Sequence, residues 1–210
     1  MPIIKEEKTQ DTYWVIWHIT ETEEALVDLL GEFHLSKEYI NVKTASHRKQ
    51  KMACRIALRY LIEEVLMLPY EGLEKDTYGK PYLINHTSHI SITHSKDMVG
   101  VCYNPKQTVG IDIERATPRI RKVQHKFVLP EETVIYGEND EDLTFYWCAK
   151  EALYKLYGKE GLIFNKDIRL LKDEQQLKGL VGKEEMLTTH LHRDRIDDHQ
   201  IALAWEVHDV

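Results

Sequence analysis

Two segments constrain this chain more than anything else in it: Gly110-Ile111-Asp112-Ile113-Glu114 and Trp147-Cys148-Ala149-Lys150-Glu151-Ala152-Leu153-Tyr154-Lys155. In the first, two carboxylates stand two apart inside the apolar run Val109 to Ile113. On a strand side chains alternate, so Asp112 and Glu114 leave the same face. In the second, Glu151 and Lys155 are four apart among helix formers and share one helix face. A fold that lays this helix beside this strand brings three carboxylates and an ammonium together. That set has the donors of a Mg²⁺ and pyrophosphate site, hard oxygen ligands for the metal and a lysine for leaving-group charge. Each motif alone also describes a solvated strand face or a surface ion pair worth little. Their order, with 39 residues from Asp112 to Glu151, is what makes the pair informative.

In that order and spacing the two segments resemble the signature of the 4′-phosphopantetheinyl transferase superfamily, a G-[IV]-D-x-E strand followed some forty residues later by [FW]-x-x-K-E-[AS]-x-x-K. Upstream, Tyr78-Gly79-Lys80-Pro81-Tyr82 is similar to the family's G-K-P turn. Ile90-Ser91-Ile92-Thr93-His94-Ser95 is similar to its strand ending in S-H-S, with Thr93 in place of the usual first serine. Arg48 to Arg55 resembles the basic opening of a long helix in many members, with Gln50 near the usual acid, and Lys126 to Glu132 resembles an R-F-F-S-x-x-E stretch. The likeness covers residues 46 to 157, and length together with the GKP and THS elements favours the two-lobed, surfactin-synthetase-activating type. It implies an α+β fold of two similar α/β lobes related by a pseudo-twofold, 1–105 and 106–210, the second carrying the metal site.

The activity so implied is transfer of 4′-phosphopantetheine from coenzyme A to a serine of an apo acyl or peptidyl carrier protein, with release of adenosine 3′,5′-bisphosphate. Asp112, Glu151 and Glu114 would hold Mg²⁺, and Lys155 would stabilise or protonate the departing phosphate. Arg48, Lys80 and His94 would hold the coenzyme A phosphates, arginine as a bidentate fork and lysine as a point charge. Glu151 is the family's usual general base, directly or through water. A carboxylate bound tightly to metal is a poor base, so the identity of the base stays open. Two other classes compete: a non-catalytic carrier-binding relative, which has no need of a metal site, and an unrelated Mg²⁺-dependent phosphohydrolase, which has no need of the GKP and THS elements.

Charge locates a partner surface. The chain carries a net charge of −7, which gives no reason to expect nucleic acid. Yet no acidic residue occurs from Arg115 through Pro130, while Arg115, Arg119, Arg121, Lys122 and Lys126 are all basic. Carrier proteins of the resembled family are acidic around the modified serine, so this strip, with Phe127 beside it, is the expected docking face. Three cysteines without CxxC spacing, a start lacking an apolar signal segment and the absence of any run of ~20 apolar residues lead to the expectation of a cytoplasmic protein, and two lobes in one chain to that of a monomer.

Pattern reading places a strand at Tyr13 to Ile19, then a helix capped by Thr20 with Glu23 three residues on. It places a long helix over 46 to 68 stopped by Pro69, a hairpin of Ile90–Thr93 with Val99–Tyr103, and a strand at Val109–Ile113. Helices around 119–128 and 139–157 follow, then strands near 167–171, 177–181 and 201–207. His190, His192 and His199 cluster in a polar stretch without cysteine partners or regular ligand spacing, which argues against zinc. The four tryptophans and Cys148 read as core residues.

Overall fold

The computed structural model describes residues 3–31, 42–129, 132, 137, 139–173 and 176–207. Two antiparallel sheets form its frame. In the first, β1 (Ile3–Thr9), β2 (Thr12–His18), β6 (Met98–Asn104) and β5 (His89–Ser95) are neighbours in that order. The second runs β7 (Val109–Arg115), β11 (His199–Glu206), β10 (Met186–Ile196), β9 (Gln176–Gly182) and β8 (Ile168–Asp173). A short ribbon of β3 (Leu73–Lys75) and β4 (Pro81–Leu83) completes the strands. The architecture is mixed α and β, as the sequence predicts.

Each sheet carries one long helix, because each offers one apolar face to cover. α2 (Ala45–Tyr60) lays Met52, Ile56, Ala57 and Leu58 on the first sheet and continues into a single π turn, Leu61–Val65. α3 (Asp140–Tyr157) lays Phe145, Ala149, Ala152 and Leu153 on the second. Asn139 caps α3 by accepting from the Asp142 amide at 2.8 Å, and three acidic residues in the first turn complement the helix dipole. Gly158 ends it in the left-handed region at φ 68°. A third apolar cluster draws Trp14, Ile16 and Cys102 from the first sheet and Ile111, Ile113, Leu203 and Trp205 from the second. The two halves therefore share a core. Burying side chains of this size contributes ~2 kcal/mol each, so separating the sheets is costly.

Several elements differ from the sequence reading. The first helix, α1, spans Glu23–Leu30 and its cap is Thr22, whose hydroxyl accepts from Ala25 N; Thr20 lies outside it. Residues expected as a helix around 119–128 instead make two 3₁₀ turns, Pro118–Lys122 and Gln124–Lys126. That stretch has no apolar stripe to hold a longer helix down, and Phe127 alone is buried. Strand β10 escaped because its outward residues are Thr, His and Arg, and β1 because it is a largely exposed edge.

Candidate functional site

β5 and β7 are the adjoining edges of the two sheets, and the site lies along their seam. Gly110 is what lets the seam close. A Cβ built on it would stand 1.9 Å from the Ala152 carbonyl oxygen, so strand β7 and helix α3 touch backbone to backbone there. One turn further along α3, the Lys155 ammonium donates to Asp112 Oδ1 at 2.7 Å and to the Ile111 carbonyl at 3.0 Å. Thr93 donates to the same Oδ1 at 2.8 Å. Ser95 donates to Glu114 Oε2 at 2.8 Å. Asp112 is 5% exposed, and its Oδ2 is buried without a hydrogen-bond partner.

Glu151 stands close enough to feel all of these charges. Burial pushes its carboxyl up to about 7; Asp112 and Glu114 push in the same direction, and Lys155 opposes them. Glu114 is raised as well, by burial first and by Asp112, against the lowering bond from Ser95. The cluster is thus an excess of negative charge held under poor solvation, with one ammonium to offset it. Among the described residues no three carboxylate, imidazole or thiol groups are gathered at ligand distance. The donors nonetheless suit a hard divalent ion: all are oxygens, and one buried carboxylate oxygen lacks any partner.

Beside the cluster opens a cleft of about 330 Å³ between the two halves. Lys51, Arg55, Lys75, Lys80, Lys155 and Lys159 line it against a single carboxylate, Glu160, and Leu73, Tyr78, Ile90 and Ile92 supply apolar wall. This is a place for an anion attached to a flat or apolar group. The Asp76 side chain holds the tight turn into the GKP segment by accepting from the Tyr78 and Lys80 amides at 2.8 and 2.9 Å. The Lys80 ammonium donates to the Leu156 carbonyl at the end of α3 (2.7 Å), and burial lowers its pKa against a partial rise from Asp76. His94 lines the cleft with its pKa lowered by burial, its ring edge-on to His47.

Arg48 is placed elsewhere. Its guanidinium forks onto Glu23 (2.6 and 3.1 Å) and the Val42 carbonyl, and it does not line the cleft. Lys51 and Arg55, one and two turns further along α2, do. The sequence reading gave neither a binding role, nor Lys75 or Lys159; for Lys51 and Arg55 the signal was the helix period, which puts 51 and 55 on one face, while Lys75 on β3 and Lys159 beyond α3 had no such signal. Lys150 faces away from the cluster. Adjacent to Glu151 and so turned about 100° round the helix, it is fully buried and donates to Glu132 (2.9 Å) and to the Phe164 and Ile168 carbonyls.

In the basic strip, Arg115 pairs with Asp198 and Arg121 with Asp140. Arg119 and Lys126 line a hollow of about 440 Å³ with Glu114, Val123 and Trp147. Phe127 is wholly buried, edge-on to Trp147, so it belongs to the core and offers no surface for docking. Pro130, the last residue of the strip, lies outside the described residues. Cys148 is buried beside the site with its thiol directed at the Gln200 carbonyl (3.5 Å). His190 lies against Trp205 and His192 against Trp14. No described helix is long and apolar enough to cross a membrane.

Comparison with known proteins bears on the same region. Residues 108–204 match the family model of the 4′-phosphopantetheinyl transferase superfamily. Over 155 residues the chain is 27% identical to a Haemophilus influenzae protein named as a 4′-phosphopantetheinyl transferase, covering 65% of this chain and 64% of that one. Over 107 residues it is 32% identical to the 4′-phosphopantetheinyl transferase Sfp of Bacillus subtilis, covering 47% of each. The alignments thus span about half to two thirds of the relatives' length. β7, α3 and the strands behind them fall within the matched segment, apart from the last two residues of β11. What the comparisons show is therefore a likeness to the 4′-phosphopantetheinyl transferase superfamily, carried by residues 108–204.

Proposed function

We propose that the protein transfers 4′-phosphopantetheine from coenzyme A to a serine hydroxyl of an acyl or peptidyl carrier protein, releasing adenosine 3′,5′-bisphosphate. The observation that carries this reading is the juxtaposition of a cleft lined by six cations with the buried Asp112 and the half-buried Glu114 and Glu151, whose charges act on one another. In this reading the lobes are 1–105 and 106–210, related by a pseudo-twofold, and the cleft between them takes the coenzyme.

Lys80 and His94, with Lys51 and Arg55, hold the phosphates that do not react. Asp112, Glu151 and Glu114 would hold Mg²⁺, which when bound would neutralise charge on the pyrophosphate. Lys155, already fixed by Asp112 and the Ile111 carbonyl, presents its ammonium to the leaving phosphate oxygen. The serine proton must leave as its oxygen bonds to phosphorus. Glu151 accepts it only where its carboxylate is free of the metal, its carboxyl then raised to about 7 and more basic than a solvated glutamate; with Glu151 on the metal the proton leaves through water, and the base stays open between the two. The carrier approaches over the hollow by Arg119 and Lys126, where Glu114 forms part of the floor. The enzyme acts as a monomer.

The test is incubation with coenzyme A, Mg²⁺ and a panel of apo carrier proteins, followed by mass measurement of the products. A carrier gaining the phosphopantetheine mass supports the reading. Coenzyme A cleaved with no carrier modified points to a phosphohydrolase, and coenzyme A left intact with carrier bound points to a non-catalytic relative.

A further inference from the structure

We infer that Thr93 and Ser95 are positioning residues: they fix which oxygens of Asp112 and Glu114 stay available to a divalent cation. The inference rests on the metal reading given above and adds the device that orients the ligands.

β5 and β7 belong to different sheets, and no ladder of backbone hydrogen bonds joins them. Side-chain hydroxyls take that place. Ser91 Oγ accepts from the Ile111 amide at 3.2 Å, Thr93 donates to Asp112 Oδ1 at 2.8 Å, and Ser95 donates to Glu114 Oε2 at 2.8 Å. The three occupy alternate positions of β5 and so leave one face. They are 3%, 4% and 8% exposed, so solvent does not compete for these bonds.

The consequence is an asymmetry within each carboxylate. A hydroxyl has one hydrogen to give, and at Thr93 it is committed to Oδ1. The Lys155 ammonium goes to that same Oδ1. Two donors on one oxygen leave Oδ2 bare, and an unpaired carboxylate oxygen in the interior is costly unless something else meets it. At Glu114 the Ser95 hydroxyl holds Oε2.

Thr93 is held in turn by its methyl group. A Cβ built on Gly100 would lie 3.0 Å from Thr93 Cγ2, so the methyl fills the space that the glycine leaves on β6. With its branch seated there, the side chain has little freedom to swing the hydroxyl away from Asp112. A serine in this place, as the resembled family usually has, would lack that second anchor.

The experiment titrates the full chain with Mn²⁺ in the presence of coenzyme A and follows free Mn²⁺ by electron paramagnetic resonance. Thr93→Val keeps the shape and removes the donor, Thr93→Ser keeps the donor, and Ser95→Ala removes the second one. Loss of a group that orients a metal ligand costs about 10- to 100-fold in metal affinity, and Thr93→Val should fall in that range, Ser95→Ala at its lower end. Thr93→Ser should stay near the unaltered protein, because its hydroxyl still reaches Asp112. Thermal melts in chelator separate this from simple loss of fold: Thr93→Ser forfeits the packed methyl yet keeps the metal, the reverse of Thr93→Val. Mn²⁺ binding by Thr93→Val at the unaltered strength, with Asp112→Ala binding none, would overturn the positioning role alone. No Mn²⁺ uptake by the unaltered protein would overturn the metal reading and this inference with it.

Discussion

A half-buried carboxylate whose pKa is pushed up to about 7 is both a chemical asset and a cost to the fold. Glu151 has its folded pKa raised from 4.5 to about 7, so between those values the folded chain holds a proton that the unfolded chain has released. Stability contributed by this group is therefore present at low pH, lost as pH rises through the window, and fully lost above about 7. Glu151→Gln should abolish transfer yet, in chelator, stabilise the protein at pH 8 by about 2 kcal/mol, an effect that vanishes below pH 4.5. Thermal denaturation of both proteins at the two pH values checks this; equal melting at pH 8 would mean that the carboxyl is solvated. At the cleft, Lys80→Ala and His94→Ala should raise KM for coenzyme A more than they lower kcat, the pattern of binding lost equally from ground and transition states. Unchanged coenzyme A affinity by calorimetry in both would remove the cleft from the mechanism.

Among the elements, the contact of β7 with α3 sets the register of the whole site. Gly110 permits it, and Gly110→Ala must push the helix off the strand, because the clash is with the Ala152 backbone and no side chain can yield. Overpacking of this kind costs ~3 kcal/mol or more. It should also separate Lys155 from Asp112, so activity should fall further than stability accounts for. Urea denaturation alongside initial rates measures both, and near-normal rates in a folded variant would show that the site tolerates the shift. Lys150 acts on the same helix from behind, tying α3 to Glu132 and to the carbonyls at Phe164 and Ile168. Removing one partner of a fully buried pair leaves an uncompensated charge, so Lys150→Met should cost ~3 kcal/mol of stability. Chemical denaturation reads that cost directly.

At the scale of the whole molecule, charge is divided by region rather than balanced point by point. The chain is acidic overall, while the cleft and the 3₁₀ turns after β7 are basic. If the turns receive an acidic carrier, reversing Arg119 and Lys122 to glutamate should raise the carrier KM and leave coenzyme A binding alone. Moderate salt should then slow the unaltered protein more than the variant, since such steering is screened over about 8 Å at physiological ionic strength. Identical carrier KM and salt response in both would move the docking face elsewhere. The sequence by itself determined what depends on neighbours along the chain. The alternation of β7 put Asp112 and Glu114 on one face, the period of α3 put Glu151 with Lys155, and the clustering of basic residues marked the strip. Only the tertiary structure decided what depends on residues far apart. Arg48 turned to Glu23, 25 residues away; Phe127 went into the core against Trp147; Lys51 and Arg55 came to face the same cleft as Lys159. The hydroxyls of β5 found the carboxylates of β7 across a seam that no backbone ladder fixes. Local periodicity is written by covalent geometry, whereas the choice of partner for a charge or a ring is settled by packing and desolvation, which act only once the sheets have closed on each other.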